Sequence, residues 1–271
     1  YKGMMLAPNL DKYYPDLNDD RVESALALVH QRFSTNTFPS WPLAQPFRYL
    51  CHNGEINTVR GNINWMAAHE PRMACEAFGD FVEDVRPVVQ AGSSDSAALD
   101  AVAEVLLRAG RSLPMVKTML IPDAWSYKPA MPQAHRDLYA YTNTVMEPWD
   151  GPAAITAFGG RWVLGAMDRN GLRPLRYTVT GDGLLIVGSE TGMVRIDETK
   201  VVEKGRVGPG QMIAVDLEEG RLYHDHELKD MLAAQQPFGS WVKHIDRIDG
   251  RIRRPPRPGS GSTPRNCAGA S

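Results

Sequence analysis

The sequence predicts an α+β protein in which antiparallel sheets are covered by helices. Strand-like runs come first, helical patterns occupy the middle of the chain, and short strands joined by glycine-rich turns follow Trp149. This order lacks the regular alternation of strand and helix that builds a parallel sheet. No internal repeat is visible.

The composition is that of an ordinary globular protein. The chain has 271 residues, of which 43% are hydrophobic and 23% charged, and its formal net charge is −2. This length allows one large domain or two small ones with a substantial core. The charge gives no basis for binding nucleic acid or an anionic membrane, and no apolar run approaches the roughly 20 residues of a membrane span. No signal peptide and a cytoplasmic location are expected.

Two candidate strands lie in the first part of the chain. Residues 1–20 form a polar, irregular entry segment. Residues 25–33 (ALALVHQRF) predict a buried strand, although an alanine- and leucine-rich run is also compatible with the start of a helix. Residues 47–52 (FRYLCH) predict a second strand because aromatic and apolar residues dominate. This run leads directly into Asn53-Gly54, a dipeptide typical of turns.

Helical patterns follow these strands. Residues 58–70 predict a helix that ends at Pro71. A second helix begins at Ser94 or Asp95, either of which can cap it. Apolar residues recur along it at helical spacing: Ala98, Leu99, Val102, Val105 and Leu106. Further helices are predicted for residues 115–121 and 135–146.

The last part of the sequence predicts hairpins and a final helix. Glycines separate short apolar runs and supply the hairpin turns. The predicted strands are residues 153–158, 161–166, 175–180, 184–188, 211–215 and 221–223, and the helix is residues 225–236.

Asn53 and Gly54 are candidates for an oxyanion hole. Asn53 offers a side-chain amide donor, and a ligand can approach the Gly54 N–H closely because glycine has no side chain. Two such donors aimed at one point stabilise a developing oxyanion. A plain hairpin turn is the commoner role of an Asn-Gly pair taken alone.

Arg32 and Asp95 are candidates for binding opposite charges. Arg32 follows a predicted strand and precedes hydroxyl residues, so it could hold a carboxylate bidentately. Asp95 at a helix start could bind an ammonium group. Taken singly, a surface salt bridge is the favoured explanation for Arg32. Simple helix capping is the alternative for Asp95, which could also combine both roles.

Two other segments also deserve a chemical interpretation. Cys51 lies beside His52 and could be a nucleophile, but a small apolar residue within a buried strand is the stronger interpretation. Cys51, Cys75 and Cys267 are far apart and lack metal-ligand spacing, so no metal site is expected. The loop of residues 168–174 carries two arginines that could face an anion, although a surface loop with charge pairs is favoured.

Together these segments resemble one family far more specifically than any of them does alone. The resemblance rests on HQRFSTNTFPSWPLAQPFRYLCHNGEINTVRGN, followed in order by GSSDSAALD, MEPWDGPAAI, DRNGLRPLRY and SETGM. These resemble the glutaminase domain of the glutamate synthase large chain, a class II glutamine amidotransferase, over about residues 1–245. The resemblance implies an Ntn-hydrolase-like four-layer αββα sandwich of two antiparallel sheets between helices, incomplete at its N-terminus.

The resemblance also implies a domain organisation. A partial class II glutamine amidotransferase domain is expected over residues 1–250. Residues 251–271 are rich in Pro, Gly, Ser and Arg and predict a low-complexity, disordered tail. Residue 1 is Tyr and the first methionine is Met4, so the chain is expected to begin in mid-sequence.

Site roles follow from the resemblance, position by position. Arg32 matches the arginine that grips the α-carboxylate of glutamine, and Asp95 matches the carboxylate that receives its α-ammonium group. Asn53 and Gly54 match the oxyanion-hole pair. The family's nucleophile is an N-terminal cysteine, whose α-amino group serves as the base. That cysteine is not in this sequence, so the chain alone is expected to be inactive.

The resemblance implies partners and cofactors of a larger enzyme. In the family, ammonia released from glutamine reaches a distant flavin domain and adds to 2-oxoglutarate, which yields a second glutamate after reduction. This chain is therefore expected to carry no cofactor itself, whereas FMN and an iron–sulfur cluster are expected in the full-length enzyme. The expected partners are glutamine, the remainder of the large chain and, in some family members, a small reductase subunit.

Three functions remain to be weighed. A part of glutamate synthase is favoured by the long motif agreement. A non-catalytic glutamine-binding module is compatible with Arg32, Asn53, Gly54 and Asp95. Another class II amidotransferase, which would supply ammonia to a nucleotide or sugar precursor, is disfavoured by the amino-acid sequences of the longer motifs.

Overall fold

Two antiparallel sheets form the centre of the protein. The computed structural model describes residues 1–33 and 38–245. The larger sheet has five strands in the order β1 (Leu50–Gly54), β2 (Ala153–Phe158), β3 (Trp162–Met167), β7 (Met212–Asp216) and β8 (Arg221–Tyr223). The smaller sheet has three strands in the order β5 (Leu185–Gly188), β4 (Arg176–Thr180) and β6 (Val201–Arg206).

Helices cover the larger sheet. The α-helices of the described ranges are α1 (Leu10–Tyr13), α2 (Val59–His69), α3 (Asp95–Arg108), α4 (Leu113–Leu120), α5 (Gln133–Val145), α6 (Asp225–Ala234) and α7 (Phe238–Trp241). Helix α3 packs near β1, α4 near β3 and α6 near β7. Apolar residues of these helices and strands form the main core. None of these helices is long and apolar enough to cross a membrane.

The smaller sheet packs on the other face of the larger one. A second apolar cluster lies between the two sheets and comprises Ala154, Met167, Leu175, Val207 and Ile213, with Tyr177, Val187 and Leu222 packed against it. The sheets are in tight contact at Gly165 of β3, where a Cβ atom would lie 2.6 Å from Cγ1 of Val187. The layers therefore follow the order helices, larger sheet, smaller sheet, which confirms the predicted α+β class with two packed antiparallel sheets.

Local signals explain most elements. Strands β2 and β8 have the predicted bounds. The other predicted hairpin strands agree with the structure within one residue at each end. Helix α3 begins at Asp95 because the Ser94 hydroxyl accepts a hydrogen bond from the Ala97 amide at 3.1 Å. Ser94 is therefore the N-cap, and the Asp95 carboxylate is left for other contacts.

The outer edge of β1 is covered by side chains rather than by another strand. The buried Asp100 carboxylate of α3 accepts hydrogen bonds from the main-chain amides of Arg48, Tyr49 and Leu50 at 3.0–3.2 Å. The Gln45 amide accepts from the His52 N–H at 2.6 Å and donates to the His52 carbonyl at 2.9 Å. These contacts explain why the strand begins at Leu50 rather than at residue 47.

One predicted strand is wrong, and one strand was missed. Residues 25–33 form neither a strand nor a helix; Leu26, Leu28 and His30 are half-buried and alternate with exposed residues. This alternation is strand-like, but no other described segment pairs with it. The sequence analysis also missed β6, whose half-buried Val201, Glu203 and Gly205 give only a weak alternation. The predicted tail, residues 251–271, lies outside the described residues.

Candidate functional site

The end of β1 directs successive side chains to opposite faces of the larger sheet. His52 points toward α3, where its Nδ1 atom lies 2.7 Å from the Ser96 hydroxyl oxygen. Asn53 points toward the smaller sheet and donates from Nδ2 to the Ser189 hydroxyl at 3.1 Å. This alternation is the ordinary pleat of a strand. Asn53 therefore lies between the sheets, and His52 lies under the helical layer.

Asn53 and Gly54 are the last residues of β1 and do not form a hairpin turn. They pair with Ala154 and Ala153 of β2. The turn expected from the Asn-Gly dipeptide is therefore wrong, because pairing with a strand distant in sequence overrides the local preference. A Cβ atom at Gly54 would lie 1.8 Å from the Pro152 carbonyl oxygen, so only glycine allows this close packing.

The Gly54 N–H points away from β2. Main-chain groups of Tyr49 and Glu55 form hydrogen bonds on the β2 side of the strand. Those of His52 face the Gln45 side chain on the opposite edge. Since main-chain groups alternate along an antiparallel strand, the Gly54 N–H points to this outer edge as well. It is therefore not used in the ladder with β2.

Asp95 brings a carboxylate to the end of β1. Its Oδ2 atom accepts a hydrogen bond from the Ile56 amide at 2.8 Å, which holds the chain just beyond Gly54. The same oxygen lies 3.9 Å from Nδ1 of His52, and Oδ1 accepts from the Ser96 hydroxyl at 3.3 Å. The first residue of α3 therefore joins the helix to the end of β1, and its side chain remains 22% exposed.

His52 is kept neutral by its surroundings. Its side chain is fully buried, and burial lowers its pKa, an effect that the nearby Asp95 carboxylate only partly offsets. Arg173 and His30 lower this pKa further through their positive charge. The Nε2 atom is also buried, and none of the described residues gives it a hydrogen bond of good geometry. His52 is therefore a neutral, packed group beside the candidate oxyanion hole.

The loop after β3 crosses the same end of the larger sheet. The Asp168 carboxylate accepts hydrogen bonds from the amides of Ala153, Asn170 and Gly171 at 2.8–3.1 Å, which fixes the loop to the start of β2. Arg169 forms an ion pair with Asp150 at 2.6 Å. Arg169 therefore has the charge partner that the surface-loop interpretation predicts, whereas Arg173 lies near enough to His52 to influence its pKa.

Arg32 lies on an exposed part of the N-terminal segment. Its main chain contacts the His30 ring, with the Arg32 carbonyl oxygen 2.8 Å from Nδ1. Because His30 influences the pKa of His52, this segment passes near the end of β1. The hydroxyl residues that follow, Ser34 and Thr35, lie outside the described residues. The structure thus joins Asn53, Gly54 and Asp95, and the role of Arg32 stays a prediction.

Cys51 is unsuited to nucleophilic chemistry. Its thiol is buried, and burial raises its pKa to about 12, although a hydrogen bond with Thr156 opposes this shift. Cys51 and His52 also face opposite sides of the sheet, so they cannot form a Cys–His pair. The apolar interpretation of Cys51 fits the structure.

Two contact residues of the site were missed by the sequence analysis. Ser96 and Ser189 each bond a side chain of β1, at 2.7 Å and 3.1 Å. Both lie in segments that carried the family resemblance, GSSDSAALD and SETGM. Nothing in their local pattern indicated a contact with β1, since Ser189 and Asn53 are 136 residues apart.

Comparison with known proteins shows the family to which this chain belongs. The family described as "Glutamine amidotransferases class-II" matches residues 1–241. The chain therefore belongs to the class-II glutamine amidotransferases.

Within that family, the chain is similar to large chains of glutamate synthase. It is 61% identical over 253 residues to "Glutamate synthase [NADPH] large chain" of Azospirillum brasilense, and the match covers 93% of this chain and 17% of that protein. It is 46% identical over 243 residues to the protein of the same name from Bacillus subtilis, with 90% and 16% covered. The chain thus spans about a sixth of the length of these relatives.

A solved structure shows weaker similarity. The glutamine phosphoribosylpyrophosphate (PRPP) amidotransferase from B. subtilis, complexed with ADP and GMP, is 18% identical with a TM-score of 0.40. That match covers 72% of this chain and 33% of the other.

Proposed function

We propose that this chain is part of the glutamine-hydrolysing domain of a glutamate synthase large chain. In that role it helps convert glutamine to glutamate and ammonia, and the ammonia adds to 2-oxoglutarate elsewhere in the full enzyme. The observation that supports this most directly is the end of β1, where the Asn53 amide, the outward Gly54 N–H and the Asp95 carboxylate lie together. The similarity to glutamate synthases favours this enzyme within the family.

The charged head group of glutamine explains two of the proposed contacts. A free amino acid carries an ammonium and a carboxylate on one carbon, so a specific site needs one fixed anion and one fixed cation. Asp95 is the proposed anion, since Ile56 and Ser96 hold its carboxylate in place and part of it remains exposed. Arg32 is the proposed cation, whose planar guanidinium suits a bidentate carboxylate.

Asn53 and Gly54 are proposed to stabilise the negative charge of the reaction. When a thiolate attacks the side-chain amide of glutamine, the carbonyl oxygen becomes an oxyanion. A side-chain N–H of Asn53 and the main-chain N–H of Gly54 would donate to it. Ammonia then leaves, a γ-glutamyl thioester remains, and water releases glutamate.

The nucleophile is proposed to be absent from this sequence. The family uses an N-terminal cysteine, whereas residue 1 here is Tyr. Cys51 cannot replace it, since its pKa is raised to about 12 by burial. The chain alone should therefore bind glutamine without hydrolysing it. A non-catalytic glutamine-binding module is the second candidate function, because it would behave in the same way.

The remaining parts of the proposal concern the longer enzyme. FMN and an iron–sulfur cluster are assigned to the rest of the large chain, and a small reductase subunit is a partner in some family members. Over the part of the chain that the structure describes, no group of three or more His, Cys, Asp or Glu side chains could hold a metal ion. A cytoplasmic location and a partial domain ending near residue 250 are part of the same proposal.

Calorimetric titration with glutamine, combined with an ammonia assay, tests the proposal. We expect glutamine binding by the 271-residue chain and no release of ammonia. A folded chain that does not bind glutamine would contradict the assigned pocket. Ammonia release that is abolished by Cys51→Ser would overturn the assignment of the nucleophile.

A further inference from the structure

We propose that Ser189 positions the Asn53 side chain for oxyanion stabilisation. This inference rests on the proposed function and adds a residue to it. Ser189 directly follows β5 in the smaller sheet, while Asn53 ends β1 in the larger one. Their hydrogen bond of 3.1 Å between Asn53 Nδ2 and Ser189 Oγ links the two sheets at the site.

The Asn53 side chain needs such a partner. Its main chain is fixed by pairing with Ala154 of β2. The terminal torsion of an Asn side chain is soft, however, so the amide can rotate while the strand stays in place. An oxyanion donor is effective only if it points at the reacting oxygen before charge develops. Some contact must therefore select one orientation of this amide.

Ser189 supplies that contact with suitable chemistry. The Ser189 hydroxyl oxygen accepts a hydrogen bond from one of the two N–H groups of the Asn53 amide. The second N–H group is left for a ligand. If the amide rotated away from this contact, its second N–H would no longer point at the ligand. Among the residues that the structure describes, only Ser189 bonds the Asn53 side chain.

The packing between the sheets holds Ser189 in place. Residues alternate along a strand, so Ser189 projects to the same face as Val187, two residues earlier. Val187 packs into the apolar cluster between the sheets and lies against Gly165 of β3. Because this contact is close-packed, the distance between β5 and the larger sheet is fixed. Ser189 is therefore anchored within reach of Asn53.

The first test observes the contact itself. The side-chain amide resonances of Asn53 are followed in an ¹⁵N-labelled preparation of the 271-residue chain, with assignment by Asn53→Asp. Ser189→Ala should shift both Asn53 proton resonances and bring them closer together, because the amide loses its partner. Thr191→Ala, at an exposed position of the same loop, is the control and should leave them unchanged. Unchanged resonances in Ser189→Ala would overturn the proposal.

The second test measures catalysis in the full-length large chain that carries this sequence. Activity of the unmodified enzyme tests the proposed function separately from Ser189. Complete loss of an oxyanion donor costs about 100- to 1000-fold in kcat, so loss of orientation alone should cost about 10- to 100-fold. We expect this loss for Ser189→Ala, with KM for glutamine changed less than about twofold and activity largely restored in Ser189→Thr, which keeps the hydroxyl.

Three outcomes of this assay would overturn the inference. They are full activity in Ser189→Ala, a loss expressed in KM rather than kcat, and an equal loss in Ser189→Ala and Ser189→Thr. The last result would show that the volume of the side chain matters and its hydroxyl does not.

Discussion

Three aspartates show how single residues build the site from main-chain contacts. Asp95 bonds the Ile56 amide, Asp100 bonds the amides that lead into β1, and Asp168 bonds the first amide of β2. Each carboxylate satisfies N–H groups that lie outside the sheet ladders, where an unpaired buried amide would be costly. Of the three, Asp95 has the additional proposed role of binding a cation, and that role can be separated from its structural one.

Asp95→Asn should weaken glutamine binding while the fold is kept. The amide oxygen of Asn can still accept the Ile56 N–H, but the negative charge for the substrate ammonium is lost. A hydrogen bond between charged groups contributes about 1.5–3 kcal/mol, so the dissociation constant should rise at least tenfold in calorimetry. Asp182→Asn, an exposed carboxylate paired with Lys200, should leave it unchanged. Equal affinity of Asp95→Asn and the unmodified chain would contradict the assignment.

Cys51 should resist alkylation in the folded chain. With a pKa of about 12, only about one thiol in ten thousand is ionised at pH 8, and the residue is buried as well. After brief exposure to iodoacetamide, peptide mapping by mass spectrometry should find Cys51 unmodified and the half-buried Cys75 modified. Both should react in denaturant. Rapid modification of Cys51 under native conditions would show that this strand is not closed as described.

At the scale of elements, the contact between β3 and β5 controls the spacing of the sheets. The Val187 side chain fills the space where a side chain at Gly165 of β3 would lie. Val187 is β-branched and stiff, so it cannot easily move aside. The spacing that brings Ser189 to Asn53 thus depends on the absence of a side chain at Gly165.

Gly165→Ala should destabilise the protein by about 1–3 kcal/mol, because the new methyl group would lie 2.6 Å from Val187 Cγ1. The free energy of unfolding is measured by urea denaturation. Gly61→Ala is a matched control, since its Cβ atom meets nothing within 4 Å in helix α2. There the substitution should stabilise by about 0.5–1 kcal/mol through helix propensity. Equal effects of the two substitutions would contradict the description of the sheet contact.

At the scale of the whole molecule, a buried charged cluster joins the helical layer to the sheet. Lys117 of α4 donates to the Gly210 carbonyl at 3.1 Å, just before β7. Lys229 of α6 donates to Asp123 at 3.0 Å and to Asp225 at 2.8 Å. Burial, together with the nearby charge of Lys229, lowers the pKa of Lys117 to about 8. Lys117 therefore makes stability depend on pH.

The free energy of unfolding should rise with pH between about 8 and 10.5 because of Lys117. Its pKa falls from 10.5 in the unfolded chain to about 8 in the folded one, so the unfolded state binds more protons in this window. The free energy of unfolding should increase by about 3 kcal/mol across this pH range.

Comparison with Lys117→Met isolates this contribution. The raised pKa values of Cys51 and Tyr139 act in the opposite direction at alkaline pH, but they are common to both proteins. The unfolding free energy of the unmodified chain should rise relative to that of Lys117→Met as pH increases from 8 to 10.5. A difference independent of pH would show that Lys117 titrates normally.

The sequence predicted the elements better than it predicted their contacts. Strands 153–158 and 221–223 have the predicted bounds because glycine turns and apolar runs mark them locally. Residues 25–33 carry an equally apolar run, but a strand also needs a partner, and none of the described segments pairs with it. Asn53 and Gly54 were identified as a pair, whereas their place within a strand depends on β2, far along the chain.

The side-chain amide of Gln45 has a consequence for how this protein associates with other polypeptides. An edge strand with open N–H and C=O groups is a template for uncontrolled pairing between molecules. By bonding both main-chain groups of His52, Gln45 occupies the position that a neighbouring strand would take on β1. A polypeptide that adds to this edge must therefore displace the Gln45 side chain and also the Asp100 carboxylate, which bonds the amides of residues 48–50.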